Sequence, residues 1–127
     1  MLPFRMPTKS WTIKEIHFKR CKNGNKKKQF VYVLKLIPFL LDEKNWTEKE
    51  EAIVGRHFAR LQGLLEEGKL ILAGKTDGLD EKTFGIVIFE ADSEEEAIFI
   101  MKNDPAVAEG IMKAELFPYR VALIKDH

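Results

Sequence analysis

A chain of 127 residues, 45% hydrophobic and 32% charged, has the length of one globular domain and leaves no room for a second core of any size. Its net charge of +1 conceals a split: residues 1 to 29 hold nine of the 21 Lys and Arg and only Glu15 of the 20 acids, a net of +8, while residues 30 to 127 carry −7. An acidic body excludes a nucleic-acid-binding domain of the usual cationic kind, since such binding displaces counterions from phosphates with Lys and Arg, and leaves that role only to the head.

The head, residues 1 to 29, ends in the cationic run Lys22-Asn23-Gly24-Asn25-Lys26-Lys27-Lys28. Two readings stand open for it: an extension with no fixed task, or a basic arm that touches RNA, a membrane surface or the acidic body. It contains the one cysteine, Cys21, which excludes an intrachain disulfide and suits a reducing cytoplasm. Its apolar side chains are scattered among lysines, so no signal-peptide core is expected, and no run in the chain reaches the ~18 apolar residues of a membrane span. A cytoplasmic protein without a membrane partner is the expectation, and the Asn45-Trp46-Thr47 sequon is then accidental.

Phe30 to Ile37 is rich in β-branched and aromatic residues and stops at Pro38, which predicts the first strand of a folding unit spanning 30 to 127. Thr47-Glu48-Lys49-Glu50 has the form of a capping box, after which Ile53, His57, Phe58, Leu61, Leu64 and Leu65 recur at helical spacing until Gly68. Lys69 to Ala73 and Thr83 to Ala91 read as two strands joined through Asp77-Gly78. Ser93-Glu94-Glu95-Glu96 predicts a second capping box and a shorter helix with Ala97, Ile98 and Met101 inward, broken at Pro105. A helical turn over Ala106 to Ile111 and a last strand over Ala114 to Lys125 complete the order β-α-β-β-α-β. Right-handed crossovers then give an α+β, ferredoxin-like antiparallel sheet with the helices on one face.

Both faces of that sheet read as apolar. Phe30, Tyr32, Leu34 and Leu36 alternate with Val31, Val33 and Ile37, and Phe84, Ile86 and Ile88 alternate with Val87, Phe89 and Ala91. Helices cover one side only, so the other needs a partner, and a second copy is the simplest: a homodimer forming a dimeric α+β barrel is expected.

Four features bear on chemistry. Ala73-Gly74-Lys75-Thr76 looks like the tail of a phosphate-binding loop, but Lys69 stands where that motif needs glycine, and the segment leads into a strand-to-strand loop. No nucleotide cofactor is expected. No histidine or cysteine lies at ligand spacing from His57, so no metal is expected either. His57 on the apolar stripe is either a core histidine with one satisfied hydrogen bond or a proton-transfer group. Asp104, before Pro105, is either a turn former or the carboxylate that fixes the His57 tautomer across two adjacent helices, leaving the second ring nitrogen to take or give a proton.

The set Arg56-His57-Phe58-Ala59-Arg60-Leu61, Gly68 to Gly74, Gly85 to Ala91, Ser93-Glu94-Glu95-Glu96-Ala97 and Asn103-Asp104-Pro105-Ala106 resembles the YCII-related (YciI-like) family over about Phe30 to Lys125. The resemblance implies a dimeric α+β barrel and an active site built on His57 and Asp104. It also implies relatives such as a dehydrochlorinase of chlorinated hydroxyhydroquinones. Ala106 stands where many members carry an aromatic residue and Tyr119 where a Trp is frequent, which predicts a pocket of different shape. The leading expectation is a cofactor-independent lyase- or isomerase-type enzyme in which His57 moves a proton on a small cyclic or carbonyl-containing substrate. Arg56, Arg60 and Lys75 are the candidates for holding an anionic substrate group. The competing expectation is a small-ligand-binding or interaction module with the same dimeric pocket and no catalysis.

Overall fold

The computed structural model describes residues 27–125. Most of the basic head, with Cys21 and His17, and the terminal His127 lie outside the described residues. Four strands and three helices follow in the order β1 (Lys28–Leu36), α1 (Glu48–Glu66), β2 (Leu70–Lys75), β3 (Gly85–Ala91), α2 (Glu94–Lys102), α3 (Pro105–Ala108) and β4 (Met112–Tyr119). Two short 3₁₀ turns, Pro38–Leu41 and Glu43–Asn45, lead from β1 to α1.

The sheet order is β2-β3-β1-β4 with every neighbouring pair antiparallel. This α+β arrangement is compatible with the ferredoxin-like layout. Apolar β1 and β3 occupy the centre, while β4, with Pro118 and its missing amide donor, takes an edge.

Alternation along the central strands sends Phe30, Tyr32 and Leu34 of β1 and Val87, Phe89 and Ala91 of β3 towards the helices. There they pack with Leu61 and Leu64 of α1 and Ala97 and Ile100 of α2. The Tyr32 and Phe89 rings meet edge-on, with centroids 5.6 Å apart. The helix starts follow from the sequence: Thr47 and Glu50 form the capping box at α1, and the Ser93 hydroxyl accepts from the Glu96 amide at α2.

Three expectations are corrected in detail. Ile100 rather than Ile98 is the buried isoleucine of α2, because positions three and four beyond Ala97 share its face. The Glu96 carboxylate accepts from Asp92 N instead of closing the second capping box on Ser93. The last strand begins earlier and stops at Tyr119, opposite Gln29, where β1 is running out of partners. Residues 120–125 lie outside any strand and pass by the helix-free face. Val121 is buried there against Val31 and Ile88, and its amide donates to the buried Gln29 Oε1 at 2.8 Å. The chain thus covers part of that face itself, leaving Phe117, Tyr119, Leu123 and Ile124 exposed.

Candidate active site

The site grows from one carboxylate. Asp104 ends the turn after α2, and its extended backbone makes it the N-cap of α3, with Oδ1 accepting from Ala106 N at 3.0 Å. The same Oδ1 accepts from His57 Nδ1 at 2.6 Å, and Oδ2 accepts from the Tyr32 hydroxyl at 2.7 Å. Turn former and imidazole partner are therefore simultaneous roles of one side chain. Three donors surround a carboxylate with no exposed surface. Burial is the largest influence on its ionisation and opposes it. Hydrogen bonds from His57 and Tyr32, the imidazole's charge and the Ala106 amide together outweigh burial and hold the carboxyl below its ordinary pKa.

Tyr32 is the member that sequence reasoning missed. It stands in the middle of β1, fully buried, and its phenol is held protonated, chiefly by burial, then by the Asp104 charge and by the hydrogen bond it donates. The nearby Arg60 charge pulls weakly the other way. In the sequence it reads as one more aromatic residue in an apolar alternation. Its hydroxyl, oriented to the inner face with Phe30 and Leu34, was the available signal, because a buried phenol requires a partner.

His57 sits on α1 between buried Ile53 and Leu61, with 13% of its side chain exposed. Because an ionised carboxylate only accepts, Nδ1 carries the proton in this pair, and Nε2 is the ring nitrogen left over. His57 lines a cleft of about 830 Å³ between α1 and the β2–β3 side of the sheet. Leu61, Leu65, Leu70, Val87 and Trp46 form much of its wall. Trp46 is oriented by its indole N–H, which donates to Leu40 O at 2.8 Å. Phe58 and Leu65, expected on the apolar stripe of α1, are mostly exposed and line this cleft instead of filling the core.

The three cationic candidates separate. Arg56 forms a surface ion pair with Glu109 at 2.6 Å and does not line the cleft. Arg60 donates to Ile100 O at 3.2 Å, joining α1 to α2, and also lies outside the lining. Lys75 does line the cleft, its ammonium donating to Thr76 O at 2.7 Å. Ala106 is buried beside Leu40, Ile53 and Ile111, and Tyr119 is an exposed residue at the end of β4. Neither lines the cleft within one chain. Among the described residues, no three His, Cys, Asp or Glu side chains converge as metal ligands would.

Comparison with curated proteins returned no match. Among solved structures the chain is similar to 5-chloro-2-hydroxyhydroquinone dehydrochlorinase from Burkholderia phenoliruptrix, in complex with 2,5-dihydroxybenzoquinone. The TM-score is 0.55 at 24% identity, over 72% of this chain and 93% of that one, a likeness of fold. The family model for the YCII-related domain matches residues 32–120, a stretch that runs from Tyr32 through His57 and Asp104 to just beyond β4. The chain belongs to the YCII-related domain family.

Proposed function

We propose that this protein is a cofactor-independent enzyme of lyase or isomerase type, in which His57 Nε2 moves a proton on a small cyclic or carbonyl-containing substrate. The observation that carries the reading is an imidazole at the wall of an apolar cleft, with Nδ1 bound to a buried carboxylate that is itself saturated by two further donors. Asp104 is a positioning residue: with its pKa lowered it is a poor proton acceptor, and it fixes which ring nitrogen is basic. Tyr32 holds Asp104 in place from the sheet. In the proton-transfer step Nε2 takes the proton from a carbon next to a carbonyl, the C–H electron pair moves into an enolate, and the imidazolium returns the proton to carbon. Lys75 is the cleft-lining candidate for an anionic oxygen, which it would meet by leaving its bond to Thr76 O.

The assembly belongs to the same proposal. Val33, Ile86, Phe117 and Tyr119 remain partly or largely exposed around the buried Val31–Ile88–Val121 cluster, and a second copy packed sheet to sheet would cover them as a dimeric barrel. A reducing compartment such as the cytoplasm suits a chain with one cysteine. Among the described residues no helix is long and apolar enough to cross a membrane.

Ring-proton exchange tests the chemistry. A hydroxyquinone such as 2,5-dihydroxybenzoquinone, the ligand of the similar structure, is dissolved in D2O with the full chain, and loss of its ring-proton NMR signal is followed. Exchange runs through the keto tautomer: the ring carbon of the enol takes a deuteron, and Nε2 then removes the proton from that tetrahedral carbon next to the carbonyl. The protein is expected to accelerate exchange, and His57→Gln to remove at least ~100-fold of the acceleration, the range a positioned general base supplies. Acceleration that survives His57→Gln overturns the base assignment. Binding with no acceleration by the native chain favours a ligand-binding module.

A further inference from the structure

The cleft is much larger than the group that His57 has to reach. At about 830 Å³ it lies in the upper part of the ~300–1,000 Å³ range that accommodates drug-sized ligands, of which a single six-membered ring fills a small fraction. Apart from His57, Gln62, Lys75 and Thr83 its side-chain walls are alkyl and aromatic, with Leu61 and Leu65 from α1, Leu70 and Ala73 from β2, Val87 from β3, and Trp46 and Phe84. Its rim is apolar as well. Phe58 is 61% and Leu65 56% exposed, adjoining apolar surface at a concave site, which a solvated wall would not need.

Charge is nearly absent from the same surface. Among the described residues no carboxylate lines the cleft, and the one cation that does, Lys75, is drawn to its own loop, donating to Thr76 O at 2.7 Å and reaching Gly78 O at 3.5 Å. Small residues keep the β2–β3 side open. Ala73 is exposed to the cleft, and Gly85, paired with Lys75, has no side chain to fill it. An uncharged lining complements an uncharged body.

Resting on the reading of His57 as the proton-transferring group, we propose that the substrate is an amphiphile. Its acidic or carbonyl-bearing ring meets His57, and an uncharged apolar extension, an alkyl chain or a second ring, lies along α1 and β2. The cleft then takes its affinity from the extension and its chemistry from the ring.

Calorimetric titration of the full chain with 2,5-dihydroxybenzoquinones bearing 3-methyl to 3-butyl substituents tests this. Full burial predicts about fourfold tighter binding per methylene. A gain of twofold or more per methylene supports the proposal, and a smaller gain overturns it. Ala73→Phe, which puts a ring against that wall, is expected to abolish the gain; an unchanged gain in the folded variant overturns the placement. Leu65→Ser, a change at the exposed rim, is expected to reduce the gain and serves if Ala73→Phe fails to fold. His57→Gln separates the two claims. A chain-length gain that persists while exchange is unaffected by His57→Gln supports the apolar subsite and sinks the base; loss of exchange in that variant with no gain in the native chain does the reverse.

Discussion

Asp104 ties the sheet to two helices through one buried carboxylate. Three donors converge on it from β1, α1 and α3, so replacing its carboxylate by an amide sets an NH2 group against one of them. Asp104→Asn is expected to cost about 2–3 kcal/mol, the range for an unsatisfied buried polar group beside a lost charged hydrogen bond. The pH dependence has a definite sign. The folded-state pKa lies below the ordinary value of 3.8, so the carboxylate's contribution is complete above that value and is lost as pH falls through the lowered one. Urea midpoints of native and Asp104→Asn protein should therefore be well separated at neutral pH and converge below about pH 4. A gap that fails to shrink below about pH 4 would contradict the ionised carboxylate. At this scale the sequence disclosed what local pattern encodes: His57 through the helical period and Asp104 through the Asp-Pro stop. It did not disclose Tyr32, whose role depends on a partner 72 positions away, nor that both Arg56 and Arg60 lie outside the cleft lining, because the two stand one turn apart on the same face of α1 and differ only in what the fold brings to them.

Element boundaries followed local chemistry closely where a cap or breaker defines them. The Thr47–Glu50 box begins α1, Gly68 with φ of 81° ends its following turn, and Pro105 opens α3. Hydrogen bonds from the Thr47 side chain and backbone lower the Glu50 pKa, so the box works with an ionised carboxylate at neutral pH. Thr47→Ala is expected to lower stability by about 1 kcal/mol, measured by thermal or urea unfolding, and a change within ±0.3 kcal/mol would mean the cap contributes nothing. The one large boundary error, the overrun of the last strand, has a different origin. Val121-Ala122-Leu123-Ile124 has strand composition, but strand formation needs a pairing neighbour, and the β1–β4 register ends at Gln29 and Tyr119.

For the whole molecule, the two-sided apolarity of β1 and β3 was readable, and the share of it that the chain covers by itself was not. The chain's own segment 120–125 shields Val31 and Ile88 through Val121. The outer face also changes character along β1: Lys35 pairs with Lys113 and Val33 with Glu115, whereas Val31 pairs with Phe117. The proposed sheet-to-sheet contact would therefore leave out Lys35 and Lys113 and centre on the apolar part of the face around Val31 and Phe117. Light scattering on the full chain is expected to give twice the chain mass, and Phe117→Arg, a change at a residue 40% exposed and outside the core clusters, to give one chain mass with unchanged circular dichroism. A native monomer would remove the barrel from the proposal while leaving the pair of His57 and Asp104 within one chain.

The bond between the Gln29 side chain and the Val121 amide brings the beginning and the end of the described unit side by side. A unit closed in this way resembles a ring with a nick. A short linker joining its ends, with new termini opened in the loop around Gly78 between β2 and β3, would leave every strand pairing in place. Tolerance of circular permutation is therefore built into the architecture of residues 27–125.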